Sequence, residues 1–248
     1  MRSIRHALAA ALAGATIMSM AQAPRAIAEV SEVVLGQQFG AVYLPQMVME
    51  SERLVGGQIL ARALKAAGVR QAFALHGGHL EALLKGCVEN DIDLLDVRHE
   101  ASAGHAADAY ARATGRLGVA IVTAGPGFTN AVSAIVNANL DASPVLFLIG
   151  APPLREAETN PLQGGFDQIA MIAPAVKWAH RITTPERIPD LVAQAIRRAT
   201  TGRRGAVVLE LPIDVLHRPV GTGATAATGL GVHPHPAPSP SETAALLG

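Results

Sequence analysis

Cysteine, aromatic side chains and charge are all scarce in this 248-residue sequence, and each shortage removes a class of answer. The single cysteine, Cys87, has no partner for an intrachain disulfide and cannot build a cysteine zinc cage. One Trp, two Tyr and five Phe are too few for a base-stacking platform or an aromatic-rich recognition surface. Charged residues make up 16% of the chain, against roughly 25% in ordinary domains, and 20 basic side chains are balanced by 20 acidic ones. Nucleic acid is therefore not an expected partner. Apolar residues are plentiful at 50%, enough for a buried core in a domain of about 150 to 200 residues.

The ends of the chain read differently from its middle. Arg2, Arg5 and His6 precede an apolar run at 7–20, and Ala21-Gln22-Ala23 follows it as a small-x-small triplet, the pattern of a secretory signal. The run is too short to span a bilayer. With no acid before Glu29, the same stretch also fits a transit peptide or an upstream-extended reading frame, with Met47 or Met49 as the start. A cytoplasmic protein is the expectation, and export the alternative if the signal is real. Residues 1–50 are set apart as an extension, and 217–248 read as an extended linker because HPHPAPSP at 233–240 cannot pack. SETAALLG then looks like the first turn of a helix capped by Ser241, the start of a further domain.

Between these ends, helical and strand patterns alternate. Ile59, Leu60, Ala63, Leu64 and Ala67 mark one face of a helix stopped by Gly68, and QAFAL at 71–75 reads as a strand. Helix is expected at 80–88, 100–113, 129–140 and 185–200, and strand at 93–97, 119–124, 145–149 and 206–211. VAIVTA has no polar alternation, the mark of a strand buried on both faces. The expected fold is α/β, a doubly wound parallel sheet flanked by helices over 51–216.

The familiar motifs of such folds fail. AGPGFTNA carries Asn130 where a dinucleotide fingerprint needs its third Gly, and neither GxxxxGK[ST] nor GxSxG occurs. HEASAGH lacks the second His of a zinc-protease helix, since Ala103 stands there. What remains is a set of polar groups at strand ends, where open α/β sheets bind ligands. His76 and His79 follow the first strand, Arg98, His99 and Glu100 the second, Thr123 to Gly127 the third, and Gln163 lies in the long loop after the fourth. Each has a plainer role too. Glu100 is also the acid expected at a helix start, His76 and His79 also suit a glycine turn, and Gln163 a loop hydrogen bond. His99 and His105 read as structural.

LHGGH, DVRHEASAGHAADAYARA, VTAGPGFTNAV, ETNPLQGGFDQIAMIAPAVKWAHRI and GAVVLELPIDVL together make 56–216 resemble the amino-terminal, pyrimidine-binding domain of thiamine-diphosphate-dependent enzymes of the acetolactate synthase superfamily. RHE with the GPG turn carries the superfamily. LHGGH with ETNPLQ is most similar to the benzaldehyde lyase branch, from which Gly78 departs by being smaller. The resemblance implies that Glu100 hydrogen-bonds N1′ of the aminopyrimidine and favours the imino tautomer that removes the thiazolium C2 proton. It implies that His79 exchanges a proton with the bound alkoxide and that Gln163 positions that oxygen or a water. His76, Thr123, Gly125 and Gly127 would shape the pyrimidine slot. The implied activity is that of a lyase or carboligating transferase on C–C bonds of aldehydes and 2-hydroxy ketones. The implied alternatives are an acetolactate synthase-like or 2-hydroxyacyl-CoA lyase-like specificity, or a non-catalytic dimerising remnant. No GDG motif occurs, so the diphosphate and its Mg2+ are expected on another domain, with no metal ligand here. The expected partner is a second copy or a chain carrying that domain, and the chain alone is expected to be inactive.

Overall fold

The computed structural model describes residues 54–156 and 159–220. The leader-like segment at 1–50, the Pro-rich linker beyond Val220 and the Ser241-capped turn lie outside the described residues.

The chain runs α1 (Gly56–Ala66), β1 (Gln71–Ala74), a 3-10 turn (Gly78–Leu80), α2 (Glu81–Glu89), β2 (Asp93–Asp96), α3 (Glu100–Thr114), β3 (Gly118–Val122) and α4 (Pro126–Leu140). It continues through β4 (Val145–Ala151), α5 (Gln168–Ile172), β5 (Trp178–Arg181), α6 (Ile188–Thr200), β6 (Ala206–Pro212) and α7 (Ile213–His217). All six strands are parallel, in the order β2-β1-β3-β4-β6-β5, so the doubly wound sheet read from the sequence is the observed one. α4 starts three residues earlier than its apolar pattern, because Pro126 at the first helical position needs no hydrogen-bonding partner for its nitrogen. β5 (WAHR), α5 and α7 carry no expected element. β5 is a short, half-exposed edge strand without an apolar run, and the two helices are single turns too short to show periodicity.

Every residue of β3, β4 and β6 is buried, and alternate side chains feed two cores. Val119, Ile121, Leu146, Leu148, Val207 and Leu209 face one core with α1, α2 and α6. Ala120, Val122, Phe147, Ile149 and Val208 face the other with α3 and α4. The helices lie close because small residues meet. A Cβ on Gly104 of α3 would stand 2.5 Å from the Cβ of Ala134 on α4, so this crossing excludes any side chain at 104. The end of the domain closes on its start: Val55 pairs with Pro219 in an antiparallel bridge, and the Val220 amide donates to the Leu54 carbonyl at 2.8 Å.

Two positions on α4 test this layering. Ile135 is fully buried in the second core, and Ile135→Val is expected to cost about 1 kcal/mol through the lost methylene and the space it leaves. Leu140 is 69% exposed, and Leu140→Ser should stay within about 0.5 kcal/mol of the parent. Urea midpoints measured on both variants check the pair.

Candidate functional site

The strand order reverses direction at β1. β2 lies on one side of it and β3 on the other, so the loops leaving β1 and β3 diverge and open a crevice at the carboxyl edge of the sheet. The LHGGH turn leaves β1 there, and the Thr123-Ala124-Gly125 segment leaves β3. The two are fitted together by Gly77, where a Cβ would stand 2.4 Å from Cβ and Oγ1 of Thr123.

Glu100 enters from the third loop as the first residue of α3. His99 caps that helix, its Nδ1 accepting from the Ala101 amide at 3.2 Å, which gives His99 the structural role read from the sequence. His105 is exposed. Glu100 is only 8% exposed, and its Oε2 accepts from Asn130 Nδ2 of α4 at 2.9 Å. Its other oxygen, Oε1, points toward Gly127: a Cβ there would lie 3.3 Å from it and 2.7 Å from Thr123 Cγ2. The missing side chain of Gly127 thus lets the start of α4 pack directly against the buried Thr123 and beside the buried carboxylate.

His79 is buried on the 3-10 turn, with Nδ1 3.5 Å from Thr123 Oγ1. Burial lowers its pKa, a side-chain hydrogen bond with Gln163 opposes that shift, and the nearby His217 of α7 reinforces it. His79 is therefore neutral at pH 7. Gln163 occupies the left-handed region with φ 58°, and its backbone packs onto Gly125, where a Cβ would stand 2.8 Å from Gln163 Cα. Phe166, in the same loop, stacks on Phe128 of α4 with 6.3 Å between ring centroids.

The structure thus brings Glu100, His79, Gln163, Thr123, Gly125 and Gly127 into one crevice. His76 is different: it is exposed and, among the described residues, is not hydrogen-bonded to the others. Asn130, Gln168, Glu210 and His217 were not singled out from the sequence. A signal existed for Glu210, the one charged residue in the apolar strand AVVLELP. Asn130 carried only its place one turn into α4. Cys87, on α2, is fully buried and its thiol is pushed up to about 12, so it has no nucleophilic role. Among the described residues, no group of three or more His, Cys, Asp or Glu is placed to hold a metal, and no helix is long and apolar enough to cross a membrane.

The lowered pKa of His79 has a consequence for stability. Between its folded value and the ordinary 6.5, the unfolded chain binds more protons than the folded one. Stability is therefore expected to fall as pH drops below 6.5, and His79→Gln should flatten that limb. Urea midpoints from pH 7.5 to 5 check it.

A buried carboxylate and a glycine turn thus stand together at the switch point of a parallel sheet, the place where such folds bind ligands. Residues 54–171 match the family described as thiamine pyrophosphate enzyme, N-terminal TPP binding domain, and this part of the chain is such a domain. The chain is 45% identical over 162 residues to the 2-hydroxyacyl-CoA lyase 2 of Bos taurus, covering 65% of this chain and 26% of that protein. It is 40% identical over 168 residues to the Xenopus laevis 2-hydroxyacyl-CoA lyase 2, covering 68% and 26%. With the catabolic acetolactate synthase of Raoultella terrigena it shares 34% identity over 170 residues, covering 68% and 30%. The chain spans about a quarter to a third of the length of these relatives.

Proposed function

We propose that this chain supplies the aminopyrimidine half of a thiamine diphosphate site in an enzyme that makes or breaks the C–C bond of 2-hydroxy ketones and aldehydes. The observation that carries this reading is the Glu100 carboxylate at the switch point of the sheet, buried and held by Asn130 through one oxygen while the other faces Gly127. On this reading the edge nitrogen of a planar ring meets Oε1. When bound, the cofactor supplies the electron sink for carbonyl chemistry. Glu100 holds a proton at the ring edge and can exchange it. His79, neutral and across the crevice, accepts or returns a proton at a substrate oxygen, and Gln163, beside His79, orients that oxygen or a water. Magnesium and the diphosphate would be held by a domain that this chain meets in a longer protein or on a different chain.

Two specificities follow from different observations. LHGGH with ETNPLQ favours a benzaldehyde lyase-like preference for 2-hydroxy ketones. The relatives, 2-hydroxyacyl-CoA lyase and acetolactate synthase, favour those activities instead. The test assays the purified chain with thiamine diphosphate and Mg2+, first alone and then with a diphosphate-binding domain supplied in trans or by fusion, against benzoin, a 2-hydroxyacyl-CoA and pyruvate. No turnover is expected alone, and turnover of one of the three once the second domain is present. Turnover by the rigorously purified chain alone would remove the half-site reading. An assembled form that neither binds thiamine diphosphate nor turns over would favour a non-catalytic dimerising module.

A further inference from the structure

The Gly125 carbonyl accepts from the Thr129 amide of α4, but the Gly125 amide is held from elsewhere in the fold. Gly125 has φ 59° and ψ −112°, a conformation that only glycine adopts readily, and its amide points away from α4. That amide donates at 2.8 Å to Oε1 of Gln168, a residue 43 positions later at the start of α5. Gln168 is 4% exposed. Its Nε2 donates to the Gly150 carbonyl at the end of β4, 3.1 Å away, and to Glu210 Oε1 on β6, 2.8 Å away. Glu210 is 2% exposed and is paired through its other oxygen with Arg181 of β5, which also reaches Asp167 Oδ1 at 3.4 Å. One amide side chain therefore joins the turn after β3 to the ends of β4 and β6, and through Glu210 to β5.

This placement has a chemical reason. A carboxylate at 168 would accept from Gly125 but would repel Glu210. An apolar side chain would leave the Gly125 amide and the inner oxygen of Glu210 without partners, which is costly where both are buried. An amide accepts from the turn with one atom and donates to the carboxylate with the other. The loop carrying Gln163 packs on Gly125 as well, so a shift of this turn would move both Gly127, which faces Glu100, and Gln163, which meets His79.

We propose that Gln168, backed by Glu210 and Arg181, is a positioning residue that fixes the Gly125–Gly127 turn in the shape the cofactor ring requires. The inference rests on the reading of that turn as the wall of a pyrimidine slot. It is tested on the 15N-labelled 248-residue chain by amide hydrogen exchange and by titration with thiamine diphosphate and Mg2+. In the parent protein the Gly125 amide is expected to exchange slowly and the Gly125 and Gly127 resonances to shift on titration. In Gln168→Met, Gly125 exchange should rise about tenfold and the apparent affinity fall about tenfold, the scale of one buried hydrogen bond, while the Ile121 and Leu148 amides of the central strands stay protected.

The paired exchange Gln168→Glu with Glu210→Gln keeps an acceptor for Gly125, the hydrogen bond between positions 168 and 210 with donor and acceptor exchanged, and an amide oxygen for Arg181; it gives up the Gly150 contact and should restore most of both readings. A merely structural role would not predict that rescue. Unchanged Gly125 exchange in Gln168→Met overturns the proposal, as does raised exchange with unchanged affinity. If the parent chain shows the expected exchange pattern but no titration shift at Gly125 or Gly127, the slot reading fails and Gln168 is a clamp without a ligand. Should Gln168→Met fail to fold, the paired exchange decides: restored protection and binding support the proposal, and loss of either in a folded protein overturns it.

Discussion

Glu100→Gln in the assembled enzyme should slow exchange of the thiazolium C2 proton by roughly 10²- to 10⁴-fold, the range ascribed to a positioned acid or base, while leaving cofactor affinity and melting temperature near those of the parent. The geometry explains the separation. Asn130 Nδ2 donates to one Glu100 oxygen at 2.9 Å, and a glutamine can place its carbonyl there without moving the helix. Its amide nitrogen then takes the place of Oε1, facing Gly127, and can still donate a hydrogen bond to a ring nitrogen. What it cannot do is hold a proton that is passed to the ring. Binding should survive, and proton exchange should not. Unchanged C2 exchange would return Glu100 to the plainer role of an acid favoured by the start of α3.

The two roles of Glu100 differ in what surrounds it. From the sequence it is followed by alanines and glycine, with little beyond Arg98 and His99 nearby to balance it. The fold supplies the missing partner from α4, 30 residues on, where the mismatch of AGPGFTNA with a dinucleotide fingerprint falls on Asn130 itself. The residue that argued against one cofactor is the one that holds the carboxylate for another.

The central strands were legible for a simple reason: buried on both faces, they are unbroken apolar runs, and the turns between them carry glycine and proline. Their order was not legible, since no local pattern states which strand lies beside which. The edge strand β5 was not legible, because one neighbour and a half-exposed face leave it no apolar signature. Gln168 and Glu210 were missed because their meaning is a pairing across 42 residues. Glu210 alone broke the apolar rule of its strand, and a buried charge in such a strand implies a partner, but the sequence does not say which one.

Two titratable side chains therefore stand at this edge of the sheet in different surroundings. Glu100 accepts a hydrogen bond from the Asn130 amide, and burial lowers the pKa of His79 against the opposing influence of Gln163. As proposed, they act at different steps. His79→Ala in the assembled enzyme is expected to leave C2 proton exchange close to that of the parent and to slow acyloin cleavage or ligation by about 10²- to 10³-fold, since alanine exchanges no proton with an alkoxide. The pH profile should change with it. Cleavage needs His79 as a base, so the parent's rate should decline as pH falls through the lowered pKa of His79, and the residual rate of His79→Ala should lack that limb. If His79 only fills the turn after β1, packed beside Gly150 and Thr123, the substitution would lower the melting temperature and spare turnover. C2 exchange, product formation and melting temperature measured on one preparation separate the two, because a stability defect lowers the amount of folded enzyme for both steps equally, whereas the loss of a proton relay strikes only the second.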